Sequence, residues 1–182
     1  MKLKLNNVRL AFPVLFEAKT VNGEGKPAFS ASFLLDPADP QVKALNQAIE
    51  QVAKDKWGAK ADAILKQMRA QDKVALHDGD LKSNYDGFPG NLYVSARSAT
   101  RPLVIDKDKS PLTEQDGKPY AGCYVNASIE LWAQDNNYGK RINASLRGVQ
   151  FFKDGDAFAG GGAASEDEFD DIAEGATAGD LV

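Results

Sequence analysis

Apolar and polar residues alternate along most of this chain, and the places where the alternation breaks mark off its elements. In LKLNNVRLAFPVLF, Leu3, Leu5, Val8, Leu10 and Phe12 keep a period near two, with one slip at Asn6 and Asn7. A slip of this kind is expected of a strand that bulges or bends. VNGEGKP then turns the chain, and AFSASFLL sets Phe29, Ala31, Phe33 and Leu35 against Ser30, Ser32 and Leu34, so residues 5 to 35 are predicted to form a hairpin. The period next becomes helical. In LDPADPQVKALNQAIEQVAKDKWG, Asp39 is placed to cap free amides, Pro40 suits a first helical turn, and Val42, Leu45, Ile49, Val52 and Trp57 form a stripe ending at Gly58. A second helix is predicted over 59–70, with Ala61, Ile64, Leu65 and Met68 on one face. From Lys73 onward the pattern is β again: VALHDGDL, NLYVSARSA, LVIDKDKSPLTEQDGKPYAG as a strand and a long loop, CYVNASIELWAQD, and RINASLRGVQFF after a turn at NNYGK. Strands, one helix pair and further strands with glycine-rich corners predict a mainly β (α+β) fold, an OB-type, partly open antiparallel barrel with a two-helix insertion.

Composition narrows this picture. The chain has 182 residues, 43% of them hydrophobic and 26% charged, enough for a domain that buries a full core. A single cysteine, Cys123, excludes an intramolecular disulfide, and a single histidine, His77, excludes a Cys/His zinc cage, so no metal or cofactor is expected and the compartment reads as reducing. MKLKLNNVRL alternates from its start, and no run approaches the ~18 apolar residues of a membrane span, so neither secretion nor membrane insertion is predicted. Charge is segregated. All 22 Lys and Arg lie before residue 154, and with 19 acids they leave residues 1–159 at a net +3, whereas residues 160–182 carry seven acids and no base. With Phe169, Ile172, Leu181 and Val182 as its only large apolar groups, the segment cannot offset its ordering entropy. The expected organisation is one folded domain over 1–159 and a disordered acidic tail over 160–182, the tail being either a solubiliser or an interaction segment.

Catalytic signatures are missing. The chain has no GxxxxGK[ST], no GxGxxG after a strand, no GxSxG and no HExxH. His77, in the turn-like HDGD, reads as a solvated loop histidine, and Cys123, at a strand start, as a small buried hydrophobe. Asp78, Asp80, Asp86, Asp106 and Asp108 are the carboxylates from which a metal nuclease would have to be built, but Asp106 and Asp108 alternate with Lys107 and Lys109 as in a solvated turn. No catalytic residue is assigned.

The polar strand faces carry a different chemistry. In NLYVSARSATRP, Leu92, Val94 and Ala96 point one way, and Tyr93, Ser95, Arg97 and, beyond the strand, Arg101 point the other. In RINASLRG, Ile142, Ala144 and Leu146 face inward and leave Arg141, Asn143, Ser145 and Arg147 outside, the two guanidiniums about 20 Å apart. In CYVNASIELW, Val125, Ala127, Ile129 and Leu131 form the inner set, with Tyr124, Asn126, Ser128 and Trp132 outside. The loop LKSNYDGFPGN adds Lys82, Tyr85 and Phe88, whose rings sit in a Gly/Pro turn poorly placed to fill a core, and the turn NNYGK adds Tyr138 and Lys140. Single-stranded nucleic acid asks for this mixture, since each unpaired base offers a π-face to an aromatic while Lys and Arg follow the phosphates. The alternative is that Tyr93, Tyr124 and Trp132 cover the sheet's second face beneath a helix.

The segments SASFLLDP, HDGDLKSNYDGFPGNLYVSARS, RPLVIDKD, KPYAGCYVNASIELWA and NYGKRINASLRGVQFFKDGD, closed by a glycine-led acidic tail, are together specific. In this order they resemble the phage and prophage single-stranded-DNA-binding proteins, formerly a domain of unknown function, with the likeness strongest toward the enterobacterial-phage branch and extending over essentially the whole chain. The resemblance implies an OB-fold that coats single-stranded DNA during phage replication and recombination in the cytoplasm of the infected bacterium. It also implies no sequence preference, weaker binding of duplex DNA, and a replication or recombination protein as partner of the acidic tail. The tail ends in GDLV, not in the aspartates, Pro and Phe of better-known bacterial SSBs. Two other readings stay open on the residues alone: a phage structural or assembly protein that uses the tail for protein partners, and the metal nuclease.

Overall fold

The structure, a computed structural model, describes residues 1–21, 23–158 and 172; the tail assigned to 160–182 lies, Ile172 aside, outside the described residues. The elements run β1 (Lys2–Val21), β2 (Glu24–Leu35), α1 (Pro40–Trp57), α2 (Ala61–Ala70), β3 (Leu76–Asp78), β4 (Leu92–Ser98), β5 (Leu103–Ile105), β6 (Tyr124–Asn136) and β7 (Gly139–Lys153). They form one seven-stranded sheet in the order β3-β4-β2-β1-β6-β7-β5. An additional β4–β7 pairing, parallel and through Arg97 opposite Ser145, closes β1, β2, β4, β7 and β6 into a barrel. The predicted OB-type barrel with its helical insertion is therefore present. Its seam is shut by Lys73 and the start of the VALHDGDL segment: the Ile142 amide donates to the Lys73 carbonyl at 3.1 Å and the Ser95 amide to that of Ala75 at 3.4 Å. Residues 73–75 thus bridge the two seam strands.

Local chemistry explains how one long strand serves two neighbours. β1 pairs with β6 from Lys2 to Arg9 and with β2 from Arg9 onward. Its register shifts between Leu5 and Val8, where Asn7 adopts φ 52°, and again between Ala11 and Val14, where Phe12 adopts φ 48°. Extra residues of this kind bend a strand around a barrel corner. The first shift is the slip expected at Asn6 and Asn7. The second breaks the period of two expected to run from Leu10 to Phe12, because it swings the Phe12 ring outward, where it is 45% exposed.

The helices plug the barrel beside β6. Asp39 accepts from the Gln41 amide at 2.9 Å, Pro40 opens α1, and Gly58, at φ 56°, ends it. Leu45, Ala48, Ile49, Val52 and Ala53 are its buried face. The Trp57 indole N–H donates to Asp135 at 2.9 Å, tying the helix end to β6. A 3-10 turn over Gly58–Lys60 delays α2 to Ala61. Inside the barrel the inner sets predicted for β6 and β7 are buried, and with them Val94 and Ala96 of β4. Each buried Val, Leu, Ile or Phe contributes roughly 1.5–3 kcal/mol, which fixes the register of the outward residues between them.

Candidate nucleic-acid interface

Outward residues of β4, β6 and β7 meet over the barrel seam in a cleft of about 680 Å³. Ser95 and Arg97 come from β4, Trp132 and Gln134 from β6, and Arg141, Asn143 and Ser145 from β7, with Lys26 of β2 and His77 of β3 on the walls. Trp132 is 44% exposed, and its indole N–H donates to Ser145 Oγ at 3.0 Å, which holds the ring at a fixed tilt. Asn143 Nδ2 donates to Gln134 Oε1 at 2.9 Å. Arg97 donates to the Lys26 carbonyl at 3.4 Å, so the β1–β2 hairpin leans on the cleft edge. Among the described residues, no ion pair engages Arg97 or Arg141, and both side chains line the cleft with no carboxylate to offset their charge. Lys140 and Arg147 differ in this respect: Lys140 lies 3.8 Å from Asp135, and Arg147 lies 3.5 Å from Glu130.

A second group of predicted residues lies beside the cleft and is packed. Phe88 is 1% and Tyr93 4% exposed, in a cluster with Ala11 and Leu34 on the outer face of the sheet. This corrects two expectations: the ring of Phe88 does fill a core, and Tyr93, although on the outward side of β4, is covered. The cause is the loop after β3. The Gly79 amide donates to the Asn91 carbonyl at 2.7 Å, Asn91 Nδ2 donates to the Gly87 carbonyl at 2.7 Å, and Asp80 accepts from the Gly90 amide at 2.9 Å. At Gly79 a Cβ would sit 2.0 Å from the Phe88 carbonyl oxygen, so only glycine lets the loop close over the sheet. Burial pushes the Tyr93 hydroxyl above its ordinary pKa, with the Asp72 charge adding to the shift.

His77 also departs from expectation. It lies on β3, not in a solvated loop, with Nδ1 at 2.6 Å from Asp72 and its ring stacked on Tyr93 at 4.8 Å. Because it also lines the cleft, it joins the two regions. The Lys82 ammonium stands 5.3 Å from the Tyr93 ring, 5.6 Å from Phe12 and 5.9 Å from Phe88, while Tyr85 is 45% exposed. The remaining candidates are scattered. Tyr124 lies half-buried between Arg9 (5.7 Å) and Lys153 (4.7 Å), roughly 26 Å along β6 from Trp132 at ~3.3 Å per residue. Arg101 leans on Phe29 at 5.7 Å, and Tyr138 is 88% exposed at the β6–β7 turn.

Asp78, Asp80, Asp106 and Asp108, considered for a nuclease, are spent on backbone amides and a salt bridge. Asp78 caps the Asp80 amide at 2.9 Å, Asp108 caps that of Ser110 at 3.0 Å, and Asp106 pairs with Lys118 at 3.0 Å. The Lys107 amide and then Lys118 hold the Asp106 carboxyl below its usual range. Among the described residues no three His, Cys, Asp or Glu side chains converge to hold a metal ion. Cys123 is fully buried, and desolvation pushes its thiol up to about 11, which leaves it inert.

A family model described as Enterobacter phage Enc34, ssDNA-binding protein, matches residues 1–182. The chain belongs to this family. It is 53% identical over 175 residues to protein p50 of Acyrthosiphon pisum secondary endosymbiont phage 1, covering 94% of each chain. The solved single-stranded DNA-binding protein from bacteriophage Enc34 in complex with ssDNA is 29% identical, with a TM-score of 0.73 over 86% of this chain and 88% of that one. The single-stranded DNA-binding protein gp2.5 of bacteriophage T7, 13% identical with a TM-score of 0.55 over 93% of this chain and 97% of that one, shares the fold. The Enc34 family is one of DNA-binding proteins, not enzymes. In this Enc34-family chain Lys26 and His77 line the cleft without having been binding candidates, and the exposed Phe12 beside Lys82 was not one either. The sequence held a signal for the last: in AFPVLF the apolar residues run together and alternation fails, which points to an irregular strand. No helix among the described residues is long and apolar enough to cross a membrane.

Proposed function

We propose that this chain coats single-stranded DNA during phage DNA replication and recombination in the cytoplasm of the infected bacterium, with the strand lying along the cleft over the β4–β7 seam. The observation that carries this reading is the convergence of one exposed indole and two guanidiniums, in no ion pair among the described residues, on a polar cleft in a member of the Enc34 family. Bases stack on Trp132, while Arg97, Arg141 and Lys26 follow phosphates. Among the other polar groups, the amides of Asn143 and Gln134 are hydrogen-bonded to each other and Ser145 accepts from the Trp132 indole, so the groups able to read base edges are held by cleft neighbours. Binding is therefore indifferent to sequence. Duplex DNA is a weaker ligand, because paired bases withhold their faces and leave the phosphate contribution alone.

The acidic tail completes the proposal. A segment carrying seven negative charges, tethered to a body of net +3, visits the basic cleft at an effective concentration of order millimolar and competes weakly with DNA. When DNA holds the cleft, the tail is free to recruit a replication or recombination protein through Phe169, Ile172, Leu181 and Val182. The test is anisotropy of labelled oligo-dT without divalent ions at several salt concentrations. Contact with three to five phosphates predicts that log K falls with log salt at a slope of roughly -2 to -3.5. A flat profile contradicts the cleft reading.

A further inference from the structure

Phe12 is held in an unusual way. Its φ of 48° lies in the left-handed region, where a bulky side chain is a genuine outlier and costs of order 1–3 kcal/mol. The irregularity between Ala11 and Val14 that permits this conformation turns the ring away from the barrel. The barrel does not lack for it, because Leu10 and Leu15 on either side are 0% and 3% exposed. One side of the ring packs on the buried Phe88, with centroids 5.6 Å apart, and the rest faces solvent. Backbone strain is thus spent on presenting a ring that stays 45% exposed. Beside it stands Tyr85, equally exposed, with ring centroids 5.0 Å apart and planes at 89°.

We propose that Phe12 and Tyr85, with Lys82 at their side, form a second stacking subsite for unpaired bases, reached by a strand that leaves the cleft past His77. The proposal rests on the cleft reading above. Three observations support it. Bulges recur where a strand must re-aim a side chain at a ligand, and this one aims an aromatic at solvent. The Lys82 ammonium, in no ion pair among the described residues, is 5.6 Å from the Phe12 ring, so a phosphate bound there sits next to a stacked base. The two subsites are neighbours: His77 lines the cleft and stacks on the buried Tyr93, and Lys82 stands over that same Tyr93 ring. A short strand fills the cleft alone, and a longer one gains the second subsite.

Anisotropy titrations with oligo-dT of about 4 and about 16 nucleotides, the span of OB-fold site sizes, test this on the full chain. Phe12→Leu and Tyr85→Leu are expected to lose roughly 5- to 150-fold in affinity for the long strand and to bind the short one unchanged, while Phe12→Tyr keeps long-strand affinity. Equal long-strand affinity of Phe12→Leu and the unaltered protein overturns the proposal. So does an equal loss on both lengths, since the ring then acts through the cleft or the fold; thermal unfolding of each variant identifies the latter. Arg97→Ala is the control for the cleft, expected to weaken both lengths. If it weakens neither, the cleft reading falls and with it a subsite reached from the cleft, whereas a loss in Arg97→Ala with none in Phe12→Leu overturns the second subsite alone.

Discussion

The cleft over the seam and the cluster under the 79–91 loop are made of the same materials, aromatic rings and bases on the outward side of β-strands, yet one is open and the other is shut. In the cleft, Trp132 keeps 44% of its surface exposed, and its neighbours are Ser, Asn, Gln and Arg. In the cluster, Tyr93 occupies an equivalent outward position on β4 and is 4% exposed, because a loop pinned by Gly79, Asp80 and Asn91 folds over it. The difference teaches that alternation decides which side of a strand a residue takes, while a loop distant in sequence decides whether that side meets water.

The sharpest way to break this comparison is to truncate one ring from each region. Phe88→Ala removes a fully buried ring and should cost about 3–5 kcal/mol of folding stability in urea unfolding. If it folds as stably as the unaltered protein, the cluster is not a core. Trp132→Leu should leave unfolding nearly unchanged and weaken oligo-dT binding by ~1–3 kcal/mol; a loss of stability without loss of affinity would exchange the roles of the two regions. Charge gives a finer probe. Arg97→Ala and Arg141→Ala should each make the salt slope of binding shallower by about 0.7, the single-strand value per phosphate. Arg147→Ala should change it less, because that guanidinium is already shared with Glu130. The smallest effect concerns residues 160–182. Deleting them should raise affinity at ~0.01 M salt, where the Debye length is ~30 Å, and make little difference near 0.15 M. The gain should vanish in an Arg97→Ala, Arg141→Ala background if the tail competes for the cleft and not for the cluster.

The barrel, its helical insertion and the inward rows of β4, β6 and β7 were legible in the sequence because burial on one side of a strand leaves a period of two that no other structure explains. Asp39, Pro40 and Gly58 announced α1 in the same way, each through a local conformational requirement. What was not legible depends on contacts far apart in the chain. The parallel meeting of Arg97 and Ser145 joins residues 48 positions apart and leaves no local mark, so neither the closed seam nor the cleft it creates follows from periodicity. The burial of Tyr93 and Phe88 needs the 79–91 loop to fold back, and His77 read as a loop residue because HDGD looks like a turn when its pairing with β4 is out of sight. Arg97, Trp132 and Arg141 were placed on the outward side because their strands fix their direction, and the structure has them lining the cleft. Tyr124 was placed by the same rule, yet it faces Arg9 and Lys153 at the far end of β6.

Trp132 makes the central claim directly measurable. The other tryptophan, Trp57, is bonded to Asp135 at the end of α1 and is not part of the cleft, so a Trp57→Phe protein reports on Trp132 alone. Titrating that protein with oligo-dT should quench its emission saturably, as a base stacks on the indole, and the midpoint should move to higher DNA concentration as salt rises. Binding by anisotropy without any change in Trp132 emission would place the strand elsewhere on the barrel and contradict the account.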